Sequence, residues 1–196
     1  MKLLGQGLYW QEMPVGAKYK TFGRTITETD IVNFISCTGF LEVLFTDMEF
    51  VKAHSAIQGR VAPGALVYAI AEGMTMLGTI QGTGLAFLNM ELDVKGPTFA
   101  GDTIHCEIEV IEQRPTSKGG RGLVRTRNTV INQRGETVLV FTPLRMMAGK
   151  PEAYVGAPLR HERRQPRAPP GVTPSRPTRL HDFCAGRELS AWSPRA

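Results

Sequence analysis

The sequence has little with which to build a disulfide framework or a zinc site. Its three cysteines, Cys37, Cys106 and Cys184, are odd in number and widely spaced, and no CxxC pair occurs. Disulfide-rich domains and zinc sites need paired or closely spaced cysteines, so neither is expected. We interpret the thiols as buried or idle in a reducing compartment, and we expect no metal and no other cofactor.

Long apolar runs are also missing. No stretch approaches the roughly 18 consecutive apolar residues that a membrane span needs. The first residues, MKLLGQGLYWQEM, lack an apolar run long enough for a secretory signal. These absences predict a soluble, cytoplasmic protein that has no membrane partner.

An excess of charge is missing from most of the chain. The formal net charge is +5, but residues 151–196 hold eight arginines and four acidic residues, which leaves +1 for residues 1–150. A nearly neutral domain gives no electrostatic reason to expect a nucleic-acid partner. The C-terminal segment also has eight prolines and no apolar periodicity. We therefore predict a domain over residues 1–148 and a Pro/Arg-rich disordered tail over residues 149–196.

What the sequence does contain is the pattern of two helices. A capping box, Thr27–Asp30, starts a short amphipathic helix that Gly39 ends. Residues 40–59 have no clean period and predict a loop with one helical turn. A second helix follows through Leu77, with Pro63 in its first turn and Glu72 as its only charge. Such an apolar helix is expected to be buried on most faces.

Strand patterns lie on both sides of these helices. Aromatic and β-branched residues predict one strand over Lys18–Thr25, and apolar alternation predicts four more in the second half. Those four cover residues 85–94, 103–111, 122–132 and 137–146. One apolar helix and consecutive antiparallel strands predict an α+β domain in which a curved sheet wraps around the buried helix.

Three sequence segments resemble the MaoC-like acyl-CoA hydratases. They are FISCTGFLEVLFTD (34–47), GRVAPGAL (59–66) and KGPTFAGD (95–102). In that family the corresponding patterns are similar to F-x-x-x-[ST]-G-D-x-N-P-x-H-x-D, G-R-[IV]-x-H-G-M and P-x-F-x-G-D. The resemblance covers about Tyr9 to Ala148. It implies a hot-dog fold, a homodimer that completes the sheet edges and the pocket, and an acyl-CoA or other acyl-thioester substrate.

The resemblance also places the site. In such hydratases an Asp and a His share one water as general base and acid, and an amide at the start of the buried helix holds the thioester oxygen. The matching positions here are Phe40 for the Asp, Phe45 for the His, Pro63 for the His before the helix, and Gly64 for the helix glycine. The resemblance implies that these four residues bind substrate. It excludes the usual acid–base pair, because phenylalanine cannot transfer a proton.

Two glutamates are the remaining candidates for proton transfer. Glu42 lies between the two substituted positions in an apolar segment, and Glu72 follows Gly64 by eight residues, about two helical turns. Burial in apolar surroundings raises a carboxyl pKa, and two carboxylates in one pocket can divide acid and base roles. The alternatives are a Glu42 that faces solvent or pairs with a lysine, and a Glu72 at the wet edge of the helix.

These residues predict a divergent acyl-CoA hydratase or dehydratase, a lyase that uses Glu42 and Glu72. Two alternatives stay open. A non-catalytic acyl-CoA-binding module is favoured by the loss of both acid–base residues. A thioesterase needs only one carboxylate to direct water at the thioester.

Overall fold

The computed structural model of the chain describes residues 4–151. Apart from residues 149–151, the predicted tail lies outside the described residues. The described helices are α1 (Glu28–Thr38), α2 (Val43–Thr46), α3 (Met48–His54) and α4 (Gly64–Thr79). The strands are β1 (Lys18–Lys20), β2 (Arg24–Thr25), β3 (Gly84–Asn89), β4 (Leu92–Val94), β5 (Thr103–Pro115), β6 (Arg121–Asn132), β7 (Thr137–Phe141) and β8 (Leu144–Ala148).

The strands form one antiparallel sheet that wraps around α4. The order along the main path is β1-β5-β6-β7-β4, with β2 also paired to β5 and with β8 joining β6 to β3. Apolar residues alternate along β5, so that Ile104, Cys106, Ile108 and Val110 are all buried. The first three pack in one core with the buried face of α4, whereas Val110 belongs to a second cluster with Met13, Val124 and Met147. The predicted α+β architecture, a curved sheet around one apolar helix, is confirmed.

The predicted boundaries of α1 are also confirmed. The Thr27 hydroxyl accepts a hydrogen bond from the Asp30 amide at 3.1 Å, and the Asp30 carboxylate accepts one from the Thr27 amide at 2.8 Å. These reciprocal bonds satisfy two amides that the first helical turn leaves free. Gly39 follows the helix with φ of 67°, a left-handed conformation that glycine adopts without strain.

Residues 40–59 contain more helix than the single predicted turn. They form both α2 and α3, and each begins at a carboxylate cap. The Asp47 carboxylate accepts from the Glu49 and Phe50 amides at 2.9 and 3.0 Å. Such caps stabilise helices that are too short to show an apolar period, which is why periodicity alone missed them.

Helix α4 is buried on one side only. It begins at Gly64 and ends at Thr79, two residues beyond the predicted end at Leu77, and Pro63 takes the N-cap position with ψ of 134° instead of a place in the first turn. Its sheet-facing side is buried, but small and apolar residues on the other side are exposed: Ala65, Ala69, Gly73, Met76 and Leu77. No helix within residues 4–151 is long and apolar enough to cross a bilayer.

Three of the predicted strands are each divided into two. The segment Lys18–Thr25 is interrupted at residues 21–23, residues 85–94 at 90–91, and residues 137–146 at 142–143. Pro143 explains the last break, because proline has no N–H to donate to a neighbouring strand. The division of the second segment leaves β3 and β4 with exposed side chains at one edge of the sheet.

Asp102, which ends the third motif, stabilises a turn. Its carboxylate accepts hydrogen bonds from Gln133 Nε2 at 2.7 Å, Arg134 Nη1 at 2.8 Å and the Phe99 amide at 2.9 Å. Burial alone raises the pKa of this carboxyl, but the bonds from Arg134, Gln133 and Phe99 outweigh it and lower the pKa. The carboxylate thus joins the start of β5 to the β6–β7 hairpin, as expected for a structural motif.

Candidate functional site

A pocket of about 310 Å³ opens at the N-terminus of α4. It lies between the first turn of that helix, the end of α2, the segment after β4, and β7. The side chains that form most of its wall are apolar: Phe45, Val61, Val67, Val94, Pro97 and Leu139. Gly64 and Lys95 also line it. A volume of this size and a mostly apolar lining are typical of small-molecule sites.

The start of α4 supplies hydrogen-bond donors to this pocket. Within residues 4–151 no acceptor is found for the Gly64 or Ala65 amide. Such first-turn amides carry the partial positive charge of the helix N-terminus and bind anionic or carbonyl oxygens. A Cβ atom on Gly64 would meet Val94 Cγ2 at 3.2 Å. Glycine therefore keeps the backbone open at this point, and the site can hold a carbonyl oxygen.

The structure brings most of the substrate-binding residues implied by the resemblance together. Phe45 lines the same pocket as Gly64, and the buried Pro63 directly precedes that glycine. The rings of Phe40 and Phe45 are 5.5 Å apart, and the Phe40 ring lies 5.8 Å from the Phe34 ring. Phe40 is thus next to the pocket wall. A substrate-binding role for these residues stays a prediction.

Sequence reasoning missed Arg60, which positions this wall. Its guanidinium donates from Nη1 to the Phe45 carbonyl and from Nε to Glu28 at 2.7 Å. The arginine therefore ties α2 to α1. Arg60 is the Arg of the G-R-V motif, and that match was the signal that could have revealed this role.

Glu42 is exposed and caps a helix. Its Oε2 accepts a hydrogen bond from the Leu44 amide at 2.8 Å, which stabilises the first turn of α2. Leu44 and Phe45, which follow it, line the pocket, whereas Glu42 is outside the lining. This geometry matches the alternative of a solvent-facing glutamate more closely than that of a buried acid.

Glu72 lies under α4 and faces the sheet. Its side chain is 12% exposed, and both carboxylate oxygens accept from Arg145 Nη2 of β8 at 2.5 Å. The Arg145 side chain is itself only 7% exposed. Eight residues correspond to about 2.2 turns, so Glu72 points about 80° away from Gly64 and lies about 12 Å further along the axis.

The two glutamates thus have separate partners. Glu42 bonds to its own helix and Glu72 to Arg145, and these contacts do not form the expected pair of carboxylates that share a pocket. Arg145 was missed because a lone arginine in an apolar strand gives no periodic signal. Catalysis by Glu42 or Glu72 stays a prediction.

The two cysteines of the described residues contribute no reactive thiolate to this pocket. Burial raises the pKa of the Cys106 thiol to about 12, and Cys106 lies in the core between sheet and helix. Cys37 is exposed on α1, and its thiol donates weakly to the Phe34 carbonyl at 3.8 Å. Both are free, so neither forms a disulfide.

Known proteins resemble this chain in both sequence and fold. The sequence profile of the FAS1-like dehydratase domain region matches residues 14–141. A monoamine oxidase regulatory protein from Archaeoglobus fulgidus is 32% identical with a TM-score of 0.67, and the match covers 74% of this chain and 97% of that one. The R-hydratase PhaJ1 from Pseudomonas aeruginosa is 27% identical with a TM-score of 0.58, over 74% of this chain and 88% of that one.

A MaoC-like dehydratase from Rhodospirillum rubrum has the same fold. It is 24% identical with a TM-score of 0.67, over 74% of this chain and 99% of that one. No curated protein sequence matches this chain significantly. The fold that these structures share is the hot-dog fold, and the profile match spans all three sequence motifs and the pocket at α4.

Proposed function

Because this chain belongs to the MaoC-like hot-dog family of dehydratases and hydratases, we propose that it acts on acyl thioesters, with acyl-CoA as the expected substrate. The observation that carries the proposal is the pocket of about 310 Å³ where Gly64 lines an apolar chamber at the helix N-terminus. The apolar walls suit an acyl chain, and the free amide suits a thioester oxygen. Lys95 also lines the pocket, but its ammonium is paired with the Asp93 carboxylate, so we assign it no role in binding CoA.

In the proposed reaction, the start of α4 polarises the thioester carbonyl. Hydration of an enoyl thioester places negative charge on that oxygen while water adds to the double bond. The Gly64 amide and the positive end of α4 stabilise this charge. Proton transfer then needs an acid and a base. Glu42 is the better placed of the two predicted glutamates, because its neighbours Leu44 and Phe45 line the pocket whereas Arg145 holds Glu72.

A second function, a non-catalytic acyl-thioester-binding module, is favoured by the aromatic contact. The rings of Phe40 and Phe45 occupy both acid–base positions of the family and lie 5.5 Å apart. Both functions need the same pocket, so they differ only in turnover. Within residues 4–151 no contact favours the thioesterase alternative in the same way, because Glu72 is held in an ion pair and Glu42 caps α2.

Gly64→Val is expected to weaken acyl-CoA binding by at least about tenfold, the value of one hydrogen bond, because the added methyl groups cover the amide and press on Val94. Calorimetric titration with hexanoyl-CoA measures the effect. Gly78→Val is the matched control: it changes the same helix at a position where a Cβ meets nothing within 4 Å. If the two variants bind hexanoyl-CoA with equal affinity, the thioester does not bind in this pocket.

Turnover separates the two functions. The protein is incubated with saturated and unsaturated acyl-CoAs while enoyl absorbance and thiol release are followed together. Loss of enoyl absorbance, abolished by Gly64→Val, supports the hydratase. Binding without any reaction selects the binding module, thiol release identifies a thioesterase, and failure to bind any acyl-CoA contradicts the proposed function.

We also propose that the protein forms a homodimer through the sheet edge of β3 and β4. Each of these strands pairs on one side only, and five of their apolar side chains are exposed: Leu85, Phe87, Leu88, Leu92 and Val94. An open edge of this kind with an apolar surface invites a second strand. The exposed small residues Ala65, Ala69 and Gly73 of α4 leave room for a helix of the second copy. A two-fold axis at this edge pairs β3–β4 with itself.

Leu88→Lys is expected to convert this dimer to a monomer, because a two-fold axis brings two buried lysines close together. Light scattering coupled to size-exclusion chromatography gives the mass. Phe22→Lys is the control, since Phe22 is 95% exposed and lies between β1 and β2, at the other edge of the sheet. A Leu88→Lys variant that stays dimeric would place the interface elsewhere.

A further inference from the structure

A second, small cavity lies between α4 and the sheet. Its volume is about 10 Å³, and its polar lining includes Thr126 and Asn128 of β6 and Arg145 of β8. Four buried atoms of these residues have no hydrogen-bond partner within the described residues: Asn128 Nδ2 and Oδ1, Thr126 Oγ1 and Arg145 Nε. Asn128 is fully buried, and Thr126 and Arg145 are 3% and 6% exposed.

These buried donors and acceptors can together bind one small polar group. A buried polar group without a partner costs about 1–3 kcal/mol, and most such groups in native proteins are satisfied. The Asn128 side chain offers both a donor and an acceptor, as does the Thr126 hydroxyl. A space of this size holds one oxygen atom with its hydrogens. The Glu72 carboxylate neutralises Arg145, so the group that fits is uncharged.

An open apolar groove lies on the other side of one wall of this cavity. Its volume is about 650 Å³, and it runs between the β1–β2 segment and the last turns of α4. Phe22, Met74 and Leu77 give it an apolar surface. Lys20 and Arg24 also line it, but each is paired with a carboxylate, of Glu107 and Asp30 respectively, so among the described residues the groove offers no unpaired cation to an anionic ligand. Three side chains, Thr75, Thr79 and Ile108, line both the groove and the cavity and so form the wall between them.

We propose that the groove and the cavity together form a second binding site, for an apolar molecule that carries one uncharged oxygen, an alcohol or a ketone. The apolar body lies in the groove against Phe22 and Leu77. The oxygen passes the Thr75 and Thr79 side chains and bonds to Asn128 and Thr126. This site lies at the C-terminal half of α4, apart from the pocket at Gly64, and does not depend on the proposed acyl-thioester function.

The preference for an uncharged oxygen is tested with three eight-carbon probes, 1-octanol, 2-octanone and octanoate, titrated into the full chain and followed by the NMR shift of the Ile108 methyl groups. Octanol and octanone are expected to bind at least about tenfold more tightly than octanoate, because a carboxylate cannot enter the neutral cavity without losing its hydration. Equal affinity for all three probes would contradict the proposed site.

Thr126→Val tests the cavity itself, since it replaces a hydroxyl by a methyl group of similar size. Loss of one hydrogen bond is expected to weaken octanol binding about fivefold and leave octanoate unchanged. Thr129→Val on the opposite face of β6 is the matched control and should change neither. Octanol binding that is the same in Thr126→Val and wild type overturns the proposal, as does a crystal structure with octanol in which only water occupies the cavity. Octanol binding that persists in Gly64→Val confirms that the two sites are separate.

Discussion

Replacing Arg145 with leucine is expected to lower the free energy of unfolding by about 3–5 kcal/mol, the cost of removing one partner from a buried ion pair. The Glu72 carboxylate accepts both of its bonds to Arg145 from a single nitrogen, and both side chains are nearly buried. Without the arginine, an uncompensated carboxylate remains beneath α4. Urea denaturation followed by circular dichroism measures the loss.

The control is an ion pair at the surface. Arg127 pairs with Glu109 at 3.2 Å, and its side chain is 53% exposed. Because solvent screens such a pair, Arg127→Leu is expected to cost at most about 1 kcal/mol. Equal losses in the two single variants would mean that burial of the Glu72–Arg145 pair has no energetic consequence.

Removing both charges is expected to restore most of the lost stability. In the double variant Glu72→Leu/Arg145→Leu no buried charge is left without a partner, and apolar side chains can pack against the core. The double-mutant cycle gives the coupling energy directly. If the double variant is no more stable than Arg145→Leu, the loss arises from packing of the arginine stem and of its ring contact with Phe87, 5.8 Å away, instead of from the unpaired charge.

Sequence predicted the architecture because its main elements carry local signals. The Thr27–Asp30 box and Gly39 fix α1 by contacts between residues close in the chain. The alternation in β5 separates buried from exposed positions without knowledge of the partner strands. The resemblance then placed Gly64 and Phe45 in one pocket before their distance in the fold was known, although they are 19 positions apart.

The parts that sequence did not predict depend on contacts between distant residues. Glu72 and Arg145 are 73 positions apart, and no local pattern pairs them. The eight-residue spacing along α4 predicted that Glu72 and Gly64 face nearly the same way. It neglected that eight residues leave the two side chains about 80° apart around the helix axis. The short helices α2 and α3 are held by carboxylate caps and by Arg60, and neither signal is periodic.

The double substitution Phe40→Asp/Phe45→His is expected to raise the rate of hydration of crotonyl-CoA, a four-carbon enoyl thioester, by at least about a hundredfold over wild type. Phe45 lines the same pocket as Gly64, and the Phe40 ring is 5.5 Å from the Phe45 ring. A carboxylate and an imidazole at these positions lie close enough to share one water. The Gly64 amide would already hold the thioester oxygen, so only the acid–base pair is missing.

The comparison that decides this prediction uses Phe40→Asn/Phe45→His, in which an amide of nearly the same shape cannot accept the proton. Loss of enoyl absorbance is followed from about pH 5 to pH 9 for both double variants. The Asp/His variant should give a bell-shaped profile, because one group must be ionised and the other protonated. The Asn/His variant should stay near the wild-type rate. If the Asp/His variant folds and binds crotonyl-CoA yet reacts no faster than the Asn/His variant, positions 40 and 45 do not lie across the double bond. The pocket would then serve binding alone.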